Sequence, residues 1–273
     1  MALMTVQALS ERELRDIHDA SLTILRDTGV MVHHERMLAR LAEAGARVDR
    51  ATAVARLPET LVMACVERAT KQYTLYGRDP ERVARFGYGD QVLMSSPGQY
   101  AWVDPKTWQR RAPTRQDLHD AIRLADALPN VTIVGAMAVV SDVPVEYRDV
   151  FLTAELVKRT TKPTRCFIAN GRSAKYVLEI YRTAAGGDAA LRQRPMIETF
   201  LEPISPLQIP GDGIDILMAF VEAGQTASFG PMAMAMGTAP ATLAGTLAQE
   251  NAEVLTGLVC MQVLAPGTPV TYG

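Results

Sequence analysis

The sequence predicts an α/β protein whose main body is a (β/α) barrel of the TIM type, incomplete at its C-terminal end and preceded by a helical N-terminal extension. Three observations carry this expectation. From about residue 92, short apolar runs alternate with helical patterns of ten or more residues, the rhythm of βαβ units in a parallel sheet. The runs are continuously apolar rather than alternating, as strands covered on both faces are. Five of them follow one another from Val131, or six with the run at 100–103, against the eight of a closed barrel.

Residues 1–91 read as the helical extension. Ser10 and Glu13 fit a capping box, and Leu14, Ile17, Ser21, Ile24 and Leu25 then recur at helical spacing until Gly29. A second helix spans 35–44 and stops at Gly45, and Pro58 suits the first turn of a third that carries Leu61, Val62, Cys65 and Val66. Residues 73–76 form a short strand before a turn at 77–80. Residues 92–273 read as the front part of the barrel. The runs 92–95 and 100–103 are short strands joined through Pro97 and Gly98, and Thr114 and Asp117 open a helix whose apolar face holds Leu118, Ala121, Ile122, Ala125 and Leu128. Strands then follow at 131–134, 166–169, 196–201, 226–229 and 269–272, each but the last leading into a helix. A doubly wound sheet is the open alternative, but no Gly-x-Gly-x-x-Gly follows a strand and no Walker loop is present. Gly186-Gly187 is explained as a helix C-cap. A last strand without its covering helix leaves an unpaired edge. The chain is therefore expected to be a fragment of a longer protein and to associate as a homo-oligomer.

Composition narrows the function classes. A net charge of −2 without a basic patch points away from nucleic acid. Cys65, Cys166 and Cys260 are too widely spaced for a zinc or redox motif and read as reduced thiols. The N-terminus lacks the basic start and apolar run of a signal peptide, and the apolar stretches are broken by Gly, Pro, Thr or charge, so no membrane span is expected and the protein reads as cytoplasmic. His33-His34 has no third ligand at useful spacing, and no metal site is expected.

A set of segments runs in order along the chain: Leu9-Ser10-Glu11-Arg12-Glu13-Leu14, Ile17-His18-Asp19-Ala20-Ser21-Leu22, Gly29-Val30-Met31-Val32, Leu75-Tyr76-Gly77-Arg78-Asp79, Ser205-Pro206-Leu207, Leu243-Ala244-Gly245-Thr246-Leu247, Asn251-Ala252-Glu253-Val254-Leu255, Pro266-Gly267 and Val270-Thr271-Tyr272-Gly273. Together they resemble the trimethylamine methyltransferase family, which includes glycine betaine methyltransferases. The resemblance implies a (β/α)₈ barrel with a helical N-terminal extension, within a protein longer than this chain. It also implies corrinoid-dependent transfer of a methyl group from a methylated amine (trimethylamine, glycine betaine or a related quaternary amine) to Co(I) of a separate corrinoid protein. Cobalamin is then carried by that partner and no cofactor is bound by this chain. In trimethylamine-specific members a pyrrolysine lies beyond the point where this sequence stops, so the choice of amine stays open. Asp117-x-His119 echoes the Asp-x-His-x-x-Gly of corrinoid-binding domains, but Ile122 stands at the Gly position and His119 would have to leave an amphipathic helix to reach cobalt. The alternative from another class is a truncated, non-catalytic relative that at most binds partners or small amines. A barrel lyase or aldolase is disfavoured because no lysine stands at a strand end.

A quaternary ammonium already carries its charge and its leaving amine departs neutral, so its pocket needs aromatic faces or a carboxylate rather than a proton donor. In a barrel the site lies at the C-terminal ends of the strands. That rule selects Asp142, Asn170, Glu202, Ser205, Phe229 and Tyr272, together with Tyr100 and Gln99 if their strand joins the barrel. Glu202 is the candidate catalytic residue, because a carboxylate ending an apolar strand is costly unless something positive meets it. An ion pair with an arginine such as Arg172, or plain exposure in a loop, is the competing reading. Asn170 either bonds substrate or makes a turn, Asp142 binds substrate or caps the next helix, and Phe229 with Tyr272 forms an aromatic wall or fills the core. Met232, Met234 and Met236 either line a pocket for apolar methyl groups or, the favoured reading, fill gaps in the packing, and Glu253, mid-helix, reads as structural or interfacial.

Overall fold

A computed structural model describes residues 7–272. The reading of residues 1–6 as no signal peptide, and Gly273 of the last family-like segment, lie outside the described residues. Along the chain the elements are α1 (Glu11–Thr23), β1 (Val30–Val32), α2 (Glu35–Glu43), β2 (Arg47–Asp49), β3 (Val54–Arg56), α3 (Glu59–Arg68), β4 (Tyr73–Tyr76) and β5 (Val83–Phe86). Next come β6 (Trp102–Val103), β7 (Arg110–Arg111), α4 (Arg115–Ala127), β8 (Val134–Gly135), α5 (Arg148–Arg159), β9 (Thr164–Arg165), α6 (Gly171–Ala185) and α7 (Asp188–Gln193). The last are β10 (Glu198–Leu201), β11 (Gln208–Ile209), α8 (Gly211–Glu222), β12 (Thr226–Phe229), α9 (Leu243–Leu264) and β13 (Val270–Tyr272).

The helix starts reflect the capping chemistry. Ser10 and Glu13 form the expected box at α1, and Thr114 and Asp117 form a second at α4. Gly186, at φ 90°, takes the left-handed position that ends α6.

The leading 91 residues are not purely helical. Besides α1–α3 they hold β1, β3 and β2 in one antiparallel run, and β11 adds to β1 in parallel, pairing Met31 with Gln208 and Val32 with Ile209. Strands of three residues are too short to show a period, which is why the sequence hid them. This segment also shares a core with the later elements. Leu25, Val30, Val32, Met37, Leu41 and Val62 pack in one cluster with Ile197, Leu217, Phe220, Phe229 and Val259.

The parallel strands run in chain order. β8 pairs with β9, and β10 pairs with β12, which pairs with β13, all parallel. The segment before β8 joins through parallel bridges Met94–Ile133 and Gln99–Ala138. The run at 100–103 is therefore not a parallel strand: its end forms β6, paired antiparallel to β7, and Tyr100 is exposed. The expected strands 131–134 and 166–169 are shifted to Val134–Gly135 and Thr164–Arg165. No ladder joins β9 to β10, and no closed barrel forms among the described residues.

What spans the β9–β10 gap is charge. Arg165 Nη1 lies 3.0 Å from Glu198 Oε1, with the two side chains 9% and 1% exposed. Tyr73 donates its hydroxyl to Glu198 Oε2 (2.6 Å), Thr271 Oγ1 stands 3.1 Å from the same oxygen, and Arg165 Nη2 meets Ser228 Oγ. Burial, then the Glu198 charge, push the Tyr73 phenol up, so it stays a donor. Arg165 Nε has no partner among the described residues.

Glu198→Leu leaves Arg165 buried and uncompensated and is expected to cost about 3–5 kcal/mol, whereas Arg165→Met with Glu198→Leu should return to within about 2 kcal/mol of wild type, by urea unfolding. A double variant no more stable than the single would show that the two charges are not coupled. At α4, Asp117 accepts from Arg111 Nη1 and Nη2 (2.6 and 2.8 Å) and from Thr114 N (2.8 Å), which hold its carboxyl down to about 2. A depressed carboxyl stabilises the fold above its unfolded pKa and loses that contribution as pH falls through its folded one. About 2 kcal/mol should thus disappear between about pH 4 and pH 2. Asp117→Asn should be less stable by a similar amount at neutral pH and should lack that part of the acid transition.

Candidate functional site

Where the parallel strands end at their C-terminal side, a cleft of about 320 Å³ opens among Pro97, Tyr100, Val139, Val145, Arg148, Asp149, Leu152, Phe167, Ile168, Ala169 and Glu202. Its walls come from different loops. Pro97 and Tyr100 lie beyond the bridge at Met94, Phe167–Ala169 lie beyond β9, Glu202 comes directly after β10, and Arg148 with Asp149 begins α5.

The cleft is stiffened from α5. Buried Asp149 spends both oxygens on backbone, Oδ1 accepting from Val150 N (2.9 Å) and Oδ2 from Ala169 N (2.8 Å), so the chain after β9 is pinned to the start of the helix. Arg148, which lines the cleft, donates Nε and Nη2 to Val143 O at 3.1 and 2.9 Å, and its Nη1 makes no hydrogen bond among the described residues. Phe167 packs edge-on against Phe200 (6.2 Å between centroids), and Arg165 lies 5.0 Å over the Phe200 ring. Behind this wall Cys166, bonded to Thr153, is fully enclosed and burial pushes its thiol up to about 12, which keeps it an unreactive thiol. Cys65 and Cys260 are buried and free as well.

Of the residues the sequence nominated, the structure brings Glu202 and Tyr100 to this one cleft. Glu202 is exposed and makes no ion pair among the described residues, so the Arg172 pairing does not form. Tyr100 is 79% exposed and serves as rim rather than wall. The others lie elsewhere. Asn170 caps α6, accepting from Ser173 N (3.0 Å), and faces a separate groove with Arg172 and Asp215. Phe229 is buried against α9, where a Cβ on Gly257 would stand 2.2 Å from its ring. Tyr272 donates to Asn251 Oδ1 (3.0 Å), and Asn251 in turn donates to Ser21 Oγ (2.8 Å). Asp142 does not cap the helix after it but the earlier α4, accepting from Arg115 N (3.1 Å). Ser205 donates to Glu253 Oε2 (2.7 Å), and Gln99 donates to Ser96 Oγ (3.2 Å).

His119 stays on α4 with Nε2 2.8 Å from Glu155, as the helical reading required. His34 caps α2 through Met37 N (3.1 Å), and no metal-binding group of three or more His, Cys, Asp or Glu occurs among the described residues. Met232, Met234 and Met236 do not fill gaps: they are 70%, 59% and 84% exposed, on the loop between β12 and α9.

Sequence reasoning missed Phe167, Arg148 and Asp149. Phe167 fell inside the expected strand 166–169, and only the earlier end of β9 puts it at the site. β9 carries a buried charge, Arg165, which the structure compensates with Glu198, a relation no local apolar pattern contains.

A family model described as Trimethylamine methyltransferase (MTTB) matches residues 2–273. The trimethylamine methyltransferase MttB of Desulfitobacterium hafniense (strain DSM 10664 / DCB-2) is 32% identical over 265 residues, covering 97% of this chain and 53% of that protein. The glycine betaine methyltransferase of Desulfitobacterium hafniense (strain Y51) is 32% identical over 270 residues, covering 97% and 55%. The chain thus spans about half the length of the curated relatives it matches. The monomethylamine methyltransferase (MtmB) structure from Methanosarcina barkeri aligns over 96% of this chain and 67% of that one at 10% identity, with a TM-score of 0.48, too slight a likeness to carry an argument. On the match over residues 2–273, the chain belongs to the trimethylamine methyltransferase family.

Proposed function

We propose that this chain serves methyl transfer from a methylated amine, with a quaternary amine favoured, to Co(I) of a separate corrinoid protein, and that the cleft beside Glu202 receives the cationic head. The observation that carries the reading is a carboxylate without a counter-ion, Glu202, sharing a cleft with the aromatic side chains Phe167 and Tyr100. Family membership supplies the reaction class. The corrinoid brought by the partner supplies the nucleophile. This chain's residues hold the amine by charge and aromatic faces and keep its methyl carbon in one orientation. No proton donor is needed for a quaternary amine. In keeping with the consecutive parallel order of the strands, we take the fold to be part of a (β/α) barrel, and we take the protein to act in the cytoplasm. No helix of the described residues is long and apolar enough to cross a membrane.

Magnitudes indicate how strong such a site is. Two exposed aromatic contacts give about 0.5–1 kcal/mol each, and an exposed carboxylate at about 4 Å gives about 1 kcal/mol. The sum, about 2–3 kcal/mol, corresponds to a Kd on the order of 10 mM. Covering the mouth would exclude water and strengthen each contact. The exposed Val145, Ile204, Met232, Met234 and Met236, all in connections that follow parallel strands, are the apolar groups we propose a partner would cover. Arg148, through its remaining Nη1, is the group suited to the carboxylate of a betaine.

The test is an NMR titration of the protein with glycine betaine, tetramethylammonium and 3,3-dimethylbutyrate, the last having the betaine shape without the positive charge. Glycine betaine and tetramethylammonium should bind and the carbon isostere should not. Glu202→Gln should weaken both cations about 5-fold, the loss of about 1 kcal/mol. Arg148→Met should weaken glycine betaine alone. Equal binding of the uncharged-head isostere, or a Glu202→Gln variant with unchanged affinity, would remove the cleft as the amine site. Cobalamin absorbance after addition of a reduced corrinoid protein then reads methyl transfer itself.

A further inference from the structure

We infer that Glu253 is a positioning residue: from the middle of α9 its carboxylate clamps the loop after β10, and so fixes where Glu202 stands in the cleft. Glu253 is 0% exposed, and no cation lies within ion-pair distance of it among the described residues. A buried carboxylate on a helix is costly unless it is fully hydrogen-bonded. Its bonds supply that. Oε1 accepts from Leu207 N (2.8 Å) and from Gln249 Nε2 (3.0 Å), and Oε2 accepts from Ser205 Oγ (2.7 Å). Two of these three partners belong to the loop.

The loop is built to transmit that restraint. Ile204 and Gln208 exchange both backbone bonds, at 2.8 and 3.1 Å, closing a tight turn over 204–208. Leu207 sits inside the turn at φ 54°, a conformation an L side chain adopts only when its surroundings hold it. Its N–H is the group Glu253 takes, and its carbonyl accepts from Met31 N (2.9 Å), so the turn is gripped on one side by α9 and on the other by β1. Glu202 is separated from the turn only by Pro203, which is buried and has no freedom in φ. A displacement of the turn therefore reaches Glu202 with little loss. None of Glu253's hydrogen-bond partners lines the cleft, so its effect on a bound cation passes through Ser205 and Leu207.

The consequence for substrate rests on Glu202 being the counter-ion of the amine, but the clamp does not. The experiment compares wild type, Glu253→Leu, Glu253→Gln and Ser205→Ala by amide hydrogen exchange over 202–209 and by tetramethylammonium affinity. Glutamine keeps an acceptor for Leu207 N and a group that reaches Ser205, so it should behave within about 3-fold of wild type in both readouts. Leucine keeps the helix and the volume but neither bond, so Leu207 exchange should rise about 5-fold or more, one hydrogen bond's worth, and tetramethylammonium binding should weaken. Ser205→Ala should raise exchange over 204–207 with the core intact. A role confined to packing α9 would lower the urea midpoint of Glu253→Leu while leaving exchange and affinity of the folded protein as in wild type, and that result overturns the proposal. If Glu253→Leu does not fold, unchanged exchange in Ser205→Ala overturns it instead. If wild type binds no amine, the cleft assignment fails, and Leu207 exchange still decides whether Glu253 holds the loop.

Discussion

A 22-residue helix, α9, lies against α1, α2, α3, α8, β12 and β13 and so has almost no outward face. A helix buried in this way must bring its own polar side chains to partners, because each one left unpaired costs on the order of 1–3 kcal/mol. The partners it finds lie in widely separated parts of the chain. Gln249 reaches Thr238 O (2.9 Å), Asn251 reaches Ser21 on α1, Glu253 holds the loop after β10, and Gln262 closes the turn before β13 through Gly267 N (2.8 Å) and Thr268 O (2.7 Å). Gly257 completes the fit by letting the helix lie directly on the Phe229 ring. The satisfaction of one buried helix thus sets the relation between the leading segment and the parallel strands.

That constraint also explains where the nominated site residues went. Strand-end position alone does not make a residue a cleft residue: Ser205 and Tyr272 stand after or at the ends of parallel strands, yet both side chains are used by α9. Phe229 is consumed by packing on the same helix. The residues that remain available, Glu202, Phe167 and Arg148, line the cleft and make no side-chain hydrogen bond to α9 among the described residues.

The helices and their starts were legible because caps are local chemistry: Ser10 with Glu13 and Thr114 with Asp117 need only three residues of context. The strand β12 was legible because Thr226–Phe229 is wholly buried and apolar enough to read as such. β9 was not, because its defining residue is charged and its compensation, Glu198, lies 33 positions away on β10, a relation no local pattern contains. The strands β1–β3 were hidden by their length, and the shift of β9 by two residues was enough to move Phe167 from an expected strand interior to the site. The segments that carry the family resemblance fared differently. His18 and Ser21, Asn251, and Tyr272 come from three of them and meet in one hydrogen-bonded group, while Ser205, Leu207 and Glu253 join two of them in another. What the resemblance marks is therefore the frame around α9, whereas Phe167, Arg148 and Glu202 stand outside those segments.

The chemistry of the cleft has to be argued from its own charges. Beneath it, Arg165 and Glu198 cancel and are closed off by Phe200 and Tyr73. Asp149 carries a charge but has both oxygens committed to backbone N–H groups at the start of α5, where a helix N-terminus favours an anion in any case. Glu202 and Arg148, one nitrogen of which makes no hydrogen bond among the described residues, put a negative and a positive group among the residues lining one small cleft. On the function proposed above, a plain tertiary amine would use only the first, whereas a molecule with an ammonium head and a carboxylate would use both. Since each exposed charge contributes only about 1 kcal/mol in water, the difference between using one and using both amounts to roughly 5-fold in affinity. On that proposal, a partner covering the mouth would enlarge the difference, so the covering that kept water from the methyl carbon would also sharpen the choice of amine.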